Sequence, residues 1–169
     1  FGSAIIADHA TDIIDTGYYL SQAYGDWFDT KRHSQNGFDT AAAKRKVLLV
    51  DDSAFFRNLL TPMLTVAGYS VTAVESAAQA LSMRESGADF DLIISDIEMP
   101  EMDGFQFATS LRSGGNWVGK PIIALSSHSA PADMARGREA GFTDYVAKFD
   151  RDGLLQTLQD TFAVGAANA

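Results

Sequence analysis

The sequence predicts an α/β fold, with five parallel strands in one doubly wound sheet, helices on both of its faces, and a short β-hairpin plus an aromatic segment in front. Three observations carry that expectation. From Lys46 onward, short apolar runs such as VLLV, LII and IIAL, of the kind buried on both faces of a sheet, alternate with segments whose apolar residues recur at helical spacing. Each interval between runs holds a helix, so neighbouring strands run parallel through right-handed crossovers. Four of the runs end in polar residues, Asp51-Asp52, Asp96, Ser126-Ser127 and Lys148, and a parallel sheet puts all four at one edge.

In chain order, residues 1–15 alternate apolar and polar side chains in two short stretches, which predicts two strands joined near Asp8-His9-Ala10. An aromatic segment from Tyr18 to Phe28 follows, and a two-stranded unit with so many aromatics needs a surface to cover them. Residues 30–45 are polar, charged and rich in small side chains, a linker composition in which His33 has no metal-spaced partner. Val47 to Val50 is the first strand of the sheet. Ser53 then caps a helix bearing Phe56, Leu59, Leu60, Met63 and Leu64 on one face, bent at Pro62 and closed by Gly68. Tyr69–Val74, Leu92–Asp96, Pro121–Leu125 and Asp144–Ala147 are the remaining strands. Ala77–Glu85, the segment around Phe105 to Leu111 ended by Gly114-Gly115, Ala132–Ala140 and Arg151–Phe162 are the remaining helices, and Asp103 is placed to cap the third helix of the sheet region.

Composition narrows the function. A chain of 169 residues with 46% apolar and 21% charged residues suits one globular domain and a smaller piece, divided as 1–29, 30–45, 46–165 and 166–169. Thirteen bases against 22 acids give a net charge of −9, which argues against nucleic acid or an anionic membrane as partner. Without cysteine there are neither disulfides nor thiolate metal sites, and no apolar run is long enough to insert in a membrane. The start at Phe1, without a basic leader, reads as part of a longer cytoplasmic protein.

The stretch LIISDIEMPEMDG organises the chemistry. Asp96 follows a buried strand at the edge where ligands of open α/β sheets collect, and a loop with Pro100 and Asp103-Gly104 comes after it. A lone loop aspartate is ordinarily a cap. Asp96, however, shares its edge with the Asp51-Asp52 pair, the Ser126 hydroxyl and Lys148, a set suited to a phosphoryl group and a hard divalent cation.

VLLVDDS, LIISDIEMPEMDG, PIIALSS and DYVAK arrive in the order and spacing of the receiver domain of response regulators, and over residues 46–162 the chain resembles that family. The resemblance implies a flavodoxin-like, CheY-like fold. It implies further that Asp96 accepts a phosphoryl group from the phosphohistidine domain of a cognate histidine kinase. Mg²⁺ would be held by Asp51, Asp52, Asp96 and the backbone carbonyl of Glu98, while Lys148 and Ser126 contact phosphoryl oxygens. Ser126 and Tyr145 would act as the switch that alters a protein-interaction face. Three crowded carboxylates repel one another, and a divalent cation relieves that repulsion. Residues 1–29 look like the end of the CheW-like domain of chemotaxis histidine kinases, so the parent would be a hybrid CheA-type kinase working with chemotaxis signalling proteins. No autonomous kinase activity is expected of this chain, because the resemblance supplies neither the ATP-binding nor the phosphohistidine domain.

Two departures bear on the site. Phe149 stands where receivers carry proline after the lysine, so a trans Lys148–Phe149 bond and a displaced lysine are expected. Glu98 puts a carboxylate two residues past Asp96, and with Ser127 and His128 it forms the expected rim, Glu98 and His128 pairing to screen the site from water. Two other functions compete. A haloacid-dehalogenase-like phosphohydrolase places its nucleophile after the first strand, unlike Asp96. An interaction module without phosphorylation would not need every acid, hydroxyl and lysine. The front piece is expected to self-associate or to dock elsewhere, since its aromatics need cover.

Overall fold

The computed structural model describes residues 2–6, 9–13, 44–127 and 131–167, with side chains over 44–127 and 134–164. Among these, β1 (Gly2–Ile6) and β2 (His9–Ile13) form an antiparallel hairpin. Ile6 pairs with His9 and Ile5 with Ala10, so His9 and Ala10, expected at the junction of the strands, belong to the second strand instead. The aromatic segment and His33 lie outside the described residues.

The second unit alternates strand and helix as the apolar periods require. β3 (Lys46–Val50), α1 (Ala54–Val66), β4 (Ser70–Val74), α2 (Ala77–Glu85), β5 (Leu92–Asp96) and α3 (Gly104–Arg112) make up its first half. β6 (Ile122–Ser126), α4 (Pro131–Ala140), β7 (Asp144–Ala147) and α5 (Arg151–Ala167) complete it. All strand pairs from β3 to β7 are parallel, in the order β4-β3-β5-β6-β7, which is the flavodoxin-like, CheY-like arrangement.

Alternation along the strands divides the core in two. Val47, Leu49, Leu92, Ile94, Ile123 and Leu125 face α1 and α5 through Leu60, Met63, Leu64, Leu154 and Leu158. Leu48, Val50, Ile93, Ile122 and Ala124 face the other way, toward α2 and α3 with Phe105, Phe107 and Leu111. Because side chains of a strand point alternately, a one-residue slip would exchange these two sets, and the register is held by both. The central strands are therefore fixed to within one residue, as a site at their ends requires.

Local differences from the expected boundaries have local causes. Tyr69 belongs to the end of α1: its N–H donates to Leu64 O and that of Gly68 to Thr65 O, both at 3.1 Å, with Gly68 at φ +100° closing a Schellman turn. The next strand accordingly begins at Ser70. Ser53 occupies the N-cap position of α1, but its side chain makes no capping bond. Asp51 takes that part of the turn, its Oδ1 accepting from Ser53 N at 2.8 Å. Asp103 does cap α3, in a reciprocal box with Gln106. α1 runs through Pro62 without interruption, and α5 continues past Phe162 to Ala167.

Candidate functional site

The chain leaves β3 for β4 on one side and returns to β5 on the other, so the crevice between the ends of β3 and β5 is the topological switch point of the sheet. Asp51 directly follows β3 and Asp96 ends β5, both essentially inaccessible to solvent, while Asp52 beside them is exposed. One carboxylate oxygen from each of the three lies within 4.8 Å of the others.

Several bonds hold this cluster in place. Arg57, one turn into α1, donates from Nη1 to the carbonyls of Asp51 and Asp52 at 2.7 and 2.8 Å, fixing the loop that carries both acids. Asp96 Oδ1 accepts from Glu98 N at 3.1 Å, and Ser95 Oγ donates to Asp96 O at 2.9 Å. Gly104 brings α3 back onto the same backbone, its N–H donating to Ile97 O at 2.9 Å. A Cβ at Gly104 would overlap the Asp96 carbonyl and stand 2.7 Å from Ile97 Cα, so only glycine permits this approach.

Lys148 enters from the end of β7. Its Nζ lies 2.6 Å from Asp96 Oδ2 and 3.3 Å from Asp51 Oδ2, and the side chain is almost wholly buried. The Lys148–Phe149 bond is trans, as expected, yet the lysine is not displaced from the acids. Lys148 N donates to Ser126 O at 3.0 Å, so sheet pairing with β6 sets where the side chain starts.

Burial pushes the Asp51 and Asp96 carboxyls above their ordinary range; a second carboxylate adds to this in each case, and Lys148 opposes it. Burial works against the Lys148 ammonium too, but its bond to Asp96 and the fields of Asp51 and Asp96 outweigh that and hold it above its ordinary value. One cation thus serves two buried acids incompletely. Asp51 Oδ2, fully buried, is met only by the longer 3.3 Å contact to Lys148, whose short bond goes to Asp96. An all-oxygen, acid-rich set with a buried oxygen so weakly served suits a hard divalent cation such as Mg²⁺.

Residues 47–159 match the response regulator receiver domain family. This chain belongs to that family. Its receiver is 35% identical over 121 residues to the gliding motility regulatory protein of Myxococcus xanthus, covering 71% of this chain and 15% of that protein. It is also 35% identical over 103 residues to the sensor histidine kinase CheAY of Helicobacter pylori, covering 60% of this chain and 13% of that protein. The chain therefore spans a small fraction of these relatives. Among solved structures, the chemotaxis protein CheY4 of Vibrio cholerae superposes with a TM-score of 0.66 at 37% identity, covering 70% of this chain and 99% of that one. The receiver of the sensor histidine kinase PA1611 of Pseudomonas aeruginosa, which has a magnesium ion coordinated in its active-site cleft, gives 0.65 at 33% identity over 72% of this chain and 99% of that one.

The other expected residues of the receiver fall into place around the acids to different degrees. Ser126 is buried at the end of β6, one position beyond Leu125, the register partner of Asp96. Ser127 is exposed next to it, and Glu98 lies on the loop after β5 with its N–H turned to Asp96. Tyr145 pairs in register with Ala124 and is half-buried against Phe142, with ring centroids 5.8 Å apart. Its ring covers Gly137 of α4 so closely that a Cβ there would overlap it. His128 lies outside the described residues, so the Glu98–His128 pair is not among the contacts described. Sequence reasoning missed Arg57 as a support of the acid loop. Its signal was a cation near the start of a helix, against the dipole, a few residues after two acids.

Proposed function

We propose that this chain is the phosphoacceptor module of a two-component, chemotaxis-type phosphorelay in which Asp96 takes the phosphoryl group. The observation that carries the reading is the Lys148 ammonium bridging Asp96 and Asp51 inside the three-carboxylate cluster, at the switch point of the sheet. A carboxylate oxygen of Asp96 attacks phosphorus, the P–N bond to the donor imidazole breaks, and the imidazole leaves with the electron pair and takes up a proton. Lys148 and the Ser126 hydroxyl hold the phosphoryl oxygens, and Arg57 keeps Asp51 and Asp52 in register with Asp96. Asp51, Asp52, Asp96 and the Glu98 carbonyl would hold Mg²⁺, which when bound neutralises charge on the acids and the incoming phosphoryl group.

Phosphorylation draws Ser126 toward the site and frees Tyr145 to leave its seat on Gly137, changing the surface beside α4. The likeness to CheAY and to CheY4 supports a hybrid CheA-type parent and chemotaxis proteins as partners, while the CheW-like segment at residues 1–29 and the cytoplasmic setting rest on the sequence alone. Acetyl phosphate labelled in its phosphoryl group, supplied with Mg²⁺, tests the reading: wild type is labelled and Asp96→Asn is not. Equal labelling of the two removes Asp96 from the chemistry.

A further inference from the structure

Lys148 has three close neighbours, and a divalent cation affects them differently. Asp96 Oδ2 at 2.6 Å and Asp51 Oδ2 at 3.3 Å are anionic oxygens of the kind such a cation takes as ligands. The third is the face of Phe56, whose ring centroid lies 4.5 Å from Nζ. A ring attracts an ammonium through its quadrupole but cannot compete with carboxylates for a hard cation. A metal on the acids would weaken their hold on the ammonium but leave the ring contact unaffected until a phosphoryl oxygen arrives to take Lys148. The ring is itself held from two sides, by Phe55 edge-on at 5.3 Å and by Phe149 tilted at 5.2 Å. Phe149 follows Lys148 in the chain, so one backbone segment carries both the ammonium and one wall of the slot in which the ring sits.

We propose that Phe56 is a positioning residue for phosphoryl transfer, its ring keeping the Lys148 ammonium over the site when the carboxylates no longer can. The inference rests on the reading of Asp96 as phosphoacceptor. A half-buried phenylalanine that merely packs would be replaced by leucine with little effect on rate. A ring that carries the ammonium would not, because leucine supplies the area but no quadrupole.

The experiment uses the full chain with Phe56→Leu, Phe56→Tyr, and a series carrying progressively fluorinated phenylalanine at position 56, which keeps the ring's shape while draining its face. Initial labelling rates with acetyl phosphate are read at saturating Mg²⁺. We expect a fall of about three- to tenfold in Phe56→Leu, near wild-type rates in Phe56→Tyr and a stepwise fall with fluorination, with Mg²⁺ affinity unchanged. A wild-type rate in Phe56→Leu, or no trend across the fluorinated series, overturns the proposal; should the leucine variant not fold, the series decides. The ε-methylene protons of Lys148 give an independent readout, since a ring face shifts them upfield. Retention of that shift in wild type with Mg²⁺ present supports the contact, and its loss overturns it, whether or not the chain is labelled. Absence of labelling in wild type would instead count against Asp96 as acceptor.

Discussion

Asp96 stands in an unfavourable balance: burial raises its carboxyl pKa, and the bonds from Lys148 and Glu98 N–H offset this only in part. The sign of the consequence is fixed. A carboxyl whose folded pKa exceeds its unfolded value stabilises the fold fully below the unfolded value of about 3.9, and that contribution is lost as pH rises through the folded value. Asp51 behaves the same way, whereas Lys148, raised as well, contributes fully below about 10.4 and loses its contribution only above that. At neutral pH the metal-free acids therefore weaken the domain, and Asp96→Asn is expected to melt at or above the wild-type temperature. Thermal unfolding without Mg²⁺ checks it. Glu101, in the loop after Asp96, has φ +65°, a region that penalises any side chain. Glu101→Gly should stabilise by about 0.5–1 kcal/mol, the relief of strain being partly offset by the freer unfolded chain, as read from urea unfolding. The acids, the hydroxyl and the lysine were legible in the sequence because each ends an apolar run. Arg57, Phe56 and Glu101 were not, because their roles depend on where a loop turns and which atoms a helix presents to it.

Among the elements, α3 is anchored at its end by its own last side chain as well as by Arg84 of α2, which donates to Ser110 O at 3.2 Å. Arg112, its last residue, donates from Nε and Nη2 to Gly141 O at 3.0 and 2.7 Å, and from Nη1 to Val118 O and Lys120 O at 2.7 and 2.8 Å. This guanidinium joins the end of α3 to the loop before β6 and to the turn between α4 and β7. Burial lowers its pKa without removing its charge. Arg112→Lys leaves most of these carbonyls without a donor, since an ammonium cannot reproduce the fork, and should lose about 2–3 kcal/mol in denaturant unfolding. At the other end of α3, Gly104→Ala must move either the helix or the Asp96 backbone. A loss of about 1–3 kcal/mol together with slower labelling is expected, and stability without a change in rate would show that the helix alone gives way. Strand and helix positions of the sheet region were read to within about two residues from apolar period and punctuation, except the end of the last helix, which runs on from Phe162 to Ala167. The boundary at Tyr69 was misread, and the cap bond expected of Ser53 is missing though its position is right, because hydrogen bonds to a neighbouring turn rather than side-chain pattern decide both.

For the whole molecule, the switch point of the sheet explains why side chains from β3, β5 and β7 share one crevice. Alternation of strands and helices was visible in the sequence, but no local pattern carries the strand order, because it depends on which side of β3 each crossover returns. Mg²⁺ should couple site to fold: at ten times its Kd it should stabilise the domain by about 1.4 kcal/mol, read as a rise in Tm. That rise should shrink on acidification at a higher pH than for ordinary carboxylates, since protons compete for the raised Asp51 and Asp96. The hairpin of β1 and β2 is too small to be stable by itself, so the full chain is expected to self-associate in light scattering, and a chain beginning at residue 44 is not. The site itself can be read chemically, because borohydride reduces an acyl phosphate, and not a free carboxylate, to the alcohol. After phosphorylation with Mg²⁺ and reduction, peptide mass spectrometry should find homoserine at position 96 and intact aspartate at 51 and 52. Homoserine at either of those positions, or at none of the three, would contradict the assignment of Asp96 as the phosphoacceptor.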